Sequence, residues 1–306
     1  MTPINKPTIS VLVTVYNRAR YLYDCIQSIL KSTFQDYEII ILDDASTDNS
    51  FVIATELAKS DTRIALYQNE VNLGQFANRN KAAKLAKGKY LKYVDSDDLI
   101  YPHCLEVMAA AAITYPDAGL IAECYFNSNQ QPLPVAFSPE EAIITHFFSG
   151  NRMLNVGPTS ILYKKEIFDK VNGFRQDIGI LADVLLNYEV GMQQPIVGVS
   201  KDLIFWRIHN EQVTIGQKNI SRMMIERFQI NQIILNHKDL PVSEKIRSII
   251  KKNITSILAR NILKLLMKCK IGIVLTVYKN TNLKLTDILL SFIPNKKEMH
   301  IRKLEQ

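Results

Sequence analysis

Three aspartates within four positions, Asp95, Asp97 and Asp98, follow a short apolar run, Lys89–Val94 (KYLKYV). Their mutual repulsion is costly unless a cation offsets it. Hard divalent ions such as Mg²⁺ or Mn²⁺ take carboxylate oxygens and share their shell with substrate phosphates. The plainer reading is a solvated acidic turn capping the next helix. A second pair, Asp43-Asp44, follows the run Tyr37–Leu42 (YEIIIL). An acid there can accept from a base N–H or a ribose hydroxyl, or it can cap the following helix. Asp43 suits the cap and Asp44 the ligand. Asp183 stands among apolar residues in Gly179–Leu185 (GILADVL). On spacing alone it is a dipole-favoured residue at a helix start, and His209, in Trp206–His209 (WRIH), is a surface or structural histidine.

The elements that must position these residues are legible as well. Ser10–Tyr16 (SVLVTVY), Tyr37–Leu42, Arg63–Gln68 and Lys89–Val94 read as strands. Between them, helices are expected over roughly 19–31, from about Ser46 to Lys59, and over a third segment ending at Gly88 as its C-cap. Strands alternating with helices are the signature of a mostly parallel sheet with helices on both faces. In such sheets ligands sit at the carboxyl ends of the strands. Thr14–Asn17, Asp43–Asp44 and Asp95–Asp98 all occupy those ends. Further along, helices are expected over 101–115, from Ser138 to Phe148 behind a Ser138/Glu141 capping box, and over 164–171 and 180–192. Gly119–Tyr125 and Ser160–Tyr163 read as strands, and Ile196–Trp206 as extended chain.

The chain has 306 residues and a formal net charge of +7. From Lys218 onward there are 18 Lys or Arg against 6 Asp or Glu, a net of +12, so residues 1–217 carry about −5. An acidic domain over 1–217 with a basic helical extension over 218–306 suggests two jobs. Ile254, Leu258, Ile262, Leu265 and Leu266 share one face of the extension, beside Arg260, Lys264 and Lys268. The extension can lie on anionic lipid or pack as a helical cap on the catalytic domain. It holds no recognised nucleic-acid module, and no nucleic-acid partner is expected. Its longest uncharged apolar run, Ile271–Tyr278, is far shorter than the roughly 20 residues that span a bilayer. The polar start of the chain predicts no secretory signal. Four scattered cysteines suit a reducing compartment, and the expected location is cytoplasmic, with peripheral contact at the inner face of the plasma membrane.

Val11–Asn17 (VLVTVYN), Leu42–Asp48 (LDDASTD), Tyr93–Pro102 (YVDSDDLIYP), Gly157–Tyr163 (GPTSILY), Gly173-Phe174, Asp183 and Trp206–His209 occur in this order. The set resembles the family 2 glycosyltransferases of GT-A fold, over roughly residues 8–212. The resemblance implies an α/β, Rossmann-like fold and an inverting transfer of sugar from a nucleotide-diphosphate donor, a UDP-sugar, to a glycan or lipid-linked glycan of bacterial surface-polysaccharide type. It implies that Thr14, Tyr16 and Asn17 line the base and ribose, that Asp44 accepts from the base, and that Asp95 holds the ribose and metal shell. Asp97 is then the direct ligand of Mg²⁺ or Mn²⁺, His209 completes the metal site, and Asp183 is the catalytic base. Arg79, in the segment before Lys81, reads either as a contact to the diphosphate or as a solvated helix residue.

Two departures stand out. The family often has Glu-Asp at the base, and this chain has Ala182-Asp183. Gly74–Lys81 (GQFANRNK) lacks the small-residue character common there. Two other functions compete. A sugar nucleotidyltransferase needs a Gly-rich basic loop after the first strand, where this chain has Asn17–Arg20 (NRAR). A non-catalytic nucleotide-sugar-binding scaffold is suggested only by the missing glutamate.

Overall fold

The computed structural model describes residues 6–124, 132–148, 153–210, 220–281, 283–284 and 286. Ten strands are described: β1 (Ile9–Val15), β2 (Tyr37–Asp43), β3 (Ile64–Gln68), β4 (Tyr90–Tyr93), β5 (Leu99–Ile100), β6 (Leu120–Glu123), β7 (Val135–Phe137), β8 (Ile161–Lys164), β9 (Ile196–Val199) and β10 (Ile204–Phe205). The helices are α1 (Ala19–Leu30), α2 (Ser50–Ser60), α3 (Gln75–Leu85), α4 (Cys104–Thr114), α5 (Pro139–Phe148), α6 (Lys165–Lys170), α7 (Ala182–Gly191), α8 (Ile220–Leu235), α9 (Glu244–Met267) and α10 (Ile271–Lys279).

The chain forms two compact units. The first comprises Met1–Ala142, Arg152–Gln176 and Ala182–Arg207; the second comprises Ile143–Asn151, Asp177–Leu181 and Ile208–Gln306. In this division two short upstream segments, Ile143–Asn151 and Asp177–Leu181, belong to the helical unit. A contiguous sequence window cannot show such an exchange, because it depends on which segments pack together.

The first unit is built on an eight-stranded sheet of order β3-β2-β1-β4-β8-β6-β9-β7. β3, β2, β1 and β4 are mutually parallel, as are β6 and β9. β8 runs antiparallel to β4 and β6, and β7 runs antiparallel to β9. This is the expected mostly parallel α/β sheet. The apolar stretches Val11–Val13 of β1 and Ile39–Leu42 of β2 suit strands covered on both faces. Leu22, Cys25, Ile26 and Ile29 of α1 pack into the same buried cluster as Val11, Val13, Ile39 and Ile41. Each such aliphatic side chain contributes about 1.5–3 kcal/mol by leaving water.

Two expected details are corrected. Gly88 does not cap α3, which ends at Leu85 with Ala86 as its C-cap. Gly88 instead lets β4 approach β1: a Cβ there would lie 2.5 Å from the Ser10 nitrogen. The helix expected from about Ser46 begins at Ser50, because Asp48 Oδ1 accepts from the Ser50 N–H and turns the chain first. The Ser138/Glu141 capping box is formed, with Glu141 Oε2 accepting from the Ser138 N–H at 2.8 Å.

In the second unit, Ile254, Leu258 and Ile262 are buried. The last two join Val274 and Val277 in a core cluster, against which Met224 and Phe228 of α8 also pack. The apolar stripe of α9 thus closes on neighbouring helices of its own unit. Among the described residues, no helix is long and apolar enough to cross a membrane.

Candidate active site

Because β2, β1 and β4 are adjacent and parallel, their carboxyl ends bring Asp43–Asp44, Thr14–Asn17 and Asp95–Asp98 to one edge. The first expectation about the site is met at the level of topology. The side chains then divide into those that shape loops and those that face one another.

Asp44 is a loop organiser. It is buried, and its Oδ1 accepts from Asn69 Nδ2 at 2.7 Å and from the Leu73 N–H at 2.9 Å. Its Oδ2 accepts from the Gly74 N–H at 2.9 Å. Gly74 has φ +84°, which favours glycine, and it starts α3. Asp43 accepts from the Ser46 N–H at 2.9 Å and so closes the turn before α2; it does not cap that helix, whose N-cap is Asn49. Asn17 sits at φ +52°, and its Oδ1 accepts from the Thr47 N–H at 2.8 Å and from the Asp48 N–H. Tyr16 is exposed beside it, and Thr14 is partly buried at the end of β1.

The centre of the site is Arg79, on α3. It is buried, and its Nη2 donates to Asp95 Oδ1 at 2.5 Å. The rings of Phe76 and Phe174 lie 5.7 and 5.8 Å from its guanidinium carbon. Tyr93 Oη donates to the Arg79 carbonyl at 3.0 Å. Burial works against the charge, but Asp95 and then Asp183 outweigh it and hold the guanidinium protonated. The structure thus brings Asp95, Arg79 and Asp183 together.

Asp183 lies in the first turn of α7 and accepts from the Val184 N–H at 2.8 Å. Burial pushes its carboxyl up to about 6, the Arg79 charge works in the opposite direction, and Asp95 adds to the rise. The helix is locked one turn later. Asn187, fully buried, accepts from Tyr163 Oη at 2.7 Å and donates to the carbonyls of Leu154 and Val156. Positions i and i+4 share a helix face, so this lock orients the face that carries Asp183.

The aspartate cluster is divided among partners. Asp97 Oδ2 accepts from Arg18 Nε at 3.1 Å. Asp98 does not cap a helix: it is buried, and its Oδ1 accepts from the Arg207 N–H at 3.1 Å. Burial, then the Asp95 charge, push its carboxyl up to about 8. The Arg207 side chain reaches Asp24 at 3.6 Å and lies over the Tyr21 ring. His209 belongs to the second unit and is partly buried. Among the described residues, no three His, Cys, Asp or Glu side chains form a metal-binding group. That does not conflict with a shared ion: Mg²⁺ is usually held by one or two carboxylates plus substrate phosphates. The carboxylate of Asp97 fits that role, but a cage made of protein ligands alone does not fit.

Several contributors had no signal in the sequence. Lys92 is fully buried in β4, donates to the Thr159 carbonyl, and has its basicity lowered by burial. Thr159 Oγ1 in turn accepts from the Asp95 N–H at 3.3 Å. Buried Glu123 accepts from the Leu203 N–H at 2.7 Å, just before β10. A lysine inside a strand gives no warning that its ammonium serves a turn some 67 residues away.

Comparison with known proteins agrees with this fold. The model for Glycosyl transferase family 2 matches residues 10–171. Glycosyltransferase GlyG of Streptococcus pneumoniae is 33% identical over 186 residues, covering 55% of this chain and 62% of its own length. An uncharacterized glycosyltransferase of Methanocaldococcus jannaschii is 34% identical over 175 residues, covering 55% and 59%. The chain thus spans about six tenths of each of these relatives. Among solved structures, S. aureus TarS 1–349 in complex with UDP-GlcNAc superposes with a TM-score of 0.66 at 19% identity, over 96% of this chain and 83% of that one. A mannosyltransferase from Pyrobaculum calidifontis in complex with GDP-Man and Mn²⁺ gives 0.61 at 14% identity, over 99% and 88%. These two likenesses show the GT-A fold. With the family model covering more than half of it, the chain belongs to Glycosyl transferase family 2.

Proposed function

We propose that this chain is an inverting glycosyltransferase. It moves a sugar from a nucleotide-diphosphate donor, a UDP-sugar, to a hydroxyl of a glycan or lipid-linked glycan. The observation that carries the reading is the grouping of Asp95, Arg79 and Asp183 at the carboxyl edge of a parallel sheet, with the Asp183 carboxyl raised to about 6. The UDP-GlcNAc and GDP-Man carried by the structural neighbours support the donor class.

In this reading Thr14, Tyr16 and Asn17 line the base and ribose. Asp44 accepts from the base with capacity left over from its loop bonds: a carboxylate has about four acceptor positions, and the 69–74 loop occupies three. Asp95 faces the ribose while it holds Arg79, and Arg79 sets positive charge near the diphosphate. Asp97 would hold the divalent cation, which when bound neutralises charge on the departing diphosphate. Asp183 takes the proton from the acceptor hydroxyl as that oxygen attacks the anomeric carbon. The bond to the diphosphate breaks on the opposite face, so the configuration inverts. A carboxyl that ionises near 6 is a stronger proton acceptor than an ordinary aspartate and is still ionised at neutral pH. The reading also includes peripheral contact with an anionic membrane, where a lipid-linked acceptor is met.

A panel of nucleotide sugars, with and without Mg²⁺ or Mn²⁺, tests the donor half by thermal stabilisation. The cognate donor at 100 times its Kd adds about 2.7 kcal/mol. Asp97→Ala is expected to reduce this shift, and Asp183→Asn to preserve it while lowering transfer by about 10²–10⁴-fold. Near-normal transfer by Asp183→Asn sinks the base assignment. Donor binding without turnover on any acceptor extract favours the scaffold reading, and release of pyrophosphate from a nucleoside triphosphate favours the nucleotidyltransferase.

A further inference from the structure

From Lys245 to Thr286 the sequence contains ten Lys or Arg and no Asp or Glu. Within this stretch α9 and α10 have distinct inner and outer surfaces. Ile262 of α9 and Val274 and Val277 of α10 are buried in the unit's own core. The outer face of α10 carries Ile271, Leu275 and Tyr278, spaced four and three residues apart and therefore aligned. They are 59%, 53% and 39% exposed. The turn joining the two helices is tight, with the Lys270 N–H donating to the Leu265 carbonyl at 2.9 Å. The last two residues of α9, Leu266 and Met267, are 43% and 77% exposed. Lys264, Lys268 and Lys279 are exposed in the same stretch.

Five large apolar side chains in water are unfavourable, and a grouped apolar surface of this kind marks an interaction site. The occupant must offer an apolar phase and negative charge together. A second copy of the chain offers the apolar surface, but a symmetric contact would set this basic, acid-free stretch against itself. Nucleic acid offers phosphates but no apolar phase. An anionic bilayer offers both: acyl chains just beneath a layer of phosphates.

We propose that Leu266, Met267, Ile271, Leu275 and Tyr278 form a lipid-docking face. α10 then lies in the plane of the membrane with these side chains at the headgroup boundary, Tyr278 at interfacial depth, and lysines against the lipid phosphates. The inference rests on the peripheral-membrane part of the proposed function and specifies the surface that makes the contact.

The test is co-sedimentation of the full chain with vesicles of phosphatidylcholine alone or mixed with phosphatidylglycerol. The wild type is expected to bind the mixed vesicles, to ignore the neutral ones, and to be released by high salt. The combined variant Ile271→Ser, Leu275→Ser, Tyr278→Ser alters only exposed positions and is expected to bind at least about tenfold more weakly. Lys264→Gln, Lys268→Gln and Lys279→Gln each lose roughly fivefold. Thermal stabilisation by a nucleotide sugar serves as the control and stays unchanged in all of them. If the wild type binds neither kind of vesicle, the peripheral-membrane reading itself fails. If the wild type binds and the serine variant binds equally well, this face is wrong while that reading stands. Equal affinity for duplex DNA, or a dimer that the serine variant dissociates, also overturns the proposal.

Discussion

The Arg79 guanidinium and the Asp95 carboxylate meet at 2.5 Å, with the arginine side chain 4% and the aspartate side chain 35% exposed. One end of the pair is fixed in the core and the other opens toward the sheet edge. Replacing Arg79 by Met removes the buried partner and leaves Asp95 beside Asp183 without a neutralising charge. Removal of one member of a buried pair costs about 3–5 kcal/mol, and the partial exposure of Asp95 sets the expectation at the lower end. Arg79→Lys keeps the charge but not the planar fork, and it is expected to lose less. Urea midpoints of the two variants against wild type measure the difference.

The pH profile of transfer follows from Asp183. Its carboxyl is raised from 3.8 to about 6 by burial, against the opposing charge of Arg79. The proposed base acts only when ionised, so kcat is expected to rise through about pH 6 and to level off above it. Arg79→Met removes the lowering influence, and the acid limb moves to higher pH. A limb left in place by Arg79→Met contradicts the electrostatic link.

The same shift has a stability consequence with the opposite sense to an ordinary salt-bridged aspartate. The folded protein binds the Asp183 proton more tightly than the unfolded chain does. Its contribution is therefore most favourable below the unfolded value of 3.8 and is lost as pH rises through about 6. Asp183→Asn removes this slope, so the variant gains stability relative to wild type between about pH 4 and pH 7. Unfolding midpoints across that range provide the check.

Asp98 and Gly88 test the frame around the site. Asp98 Oδ1 accepts from the Arg207 N–H. Asp98→Asn retains an acceptor and is expected to change stability little, whereas Asp98→Leu leaves a backbone donor unmatched at a cost of about 1–3 kcal/mol. Gly88→Ala places a Cβ 2.5 Å from the Ser10 nitrogen and 2.8 Å from the Ile9 carbonyl carbon. Backbone cannot yield as a flexible side chain does, so the cost is expected at or above the roughly 1–3 kcal/mol of ordinary overpacking. Thermal melts rank the three variants.

In the helical unit, Glu226 is buried and accepts from the Leu181 N–H at 3.3 Å and from Arg222 Nε at 2.7 Å. Gly179 sits at φ +88°, which favours glycine, and a Cβ there would lie 2.3 Å from Glu226 Oε1 and displace that carboxylate. Glu226→Ala is expected to cost about 1–3 kcal/mol by leaving the Leu181 donor unmatched, and to raise hydrogen exchange over 177–181. Glu226→Gln keeps an acceptor and loses less. Exchange unchanged in the alanine variant would show that the contact does not hold the segment.

Much of the first unit could be read before any coordinates. Apolar runs and helical spacing located β1, β2, β3 and β4 to within about a residue, because the sheet interior that buries β1, β2 and most of β4 selects apolar side chains. Ser138/Glu141 was recognisable as a capping box, because it acts within three residues of itself. Arg79 was ambiguous between a solvated helix residue and a site residue. Its burial depends on Phe174, 95 positions away, and on Asp95 at the end of another strand.

The sequence by itself determined the alternation of strand and helix, the acidic character of the sheet's carboxyl edge, and the charge contrast between the two parts of the chain. These are properties of short windows, set by side-chain polarity and spacing. Only the tertiary structure decided which carboxylate faces which cation. It gave Asp95 to Arg79, Asp97 to Arg18 and the Arg207 N–H to Asp98, and it raised Asp183 beside Arg79. Those outcomes depend on desolvation and on distances of a few ångströms between segments remote in sequence. Both arise only when the sheet has closed over them.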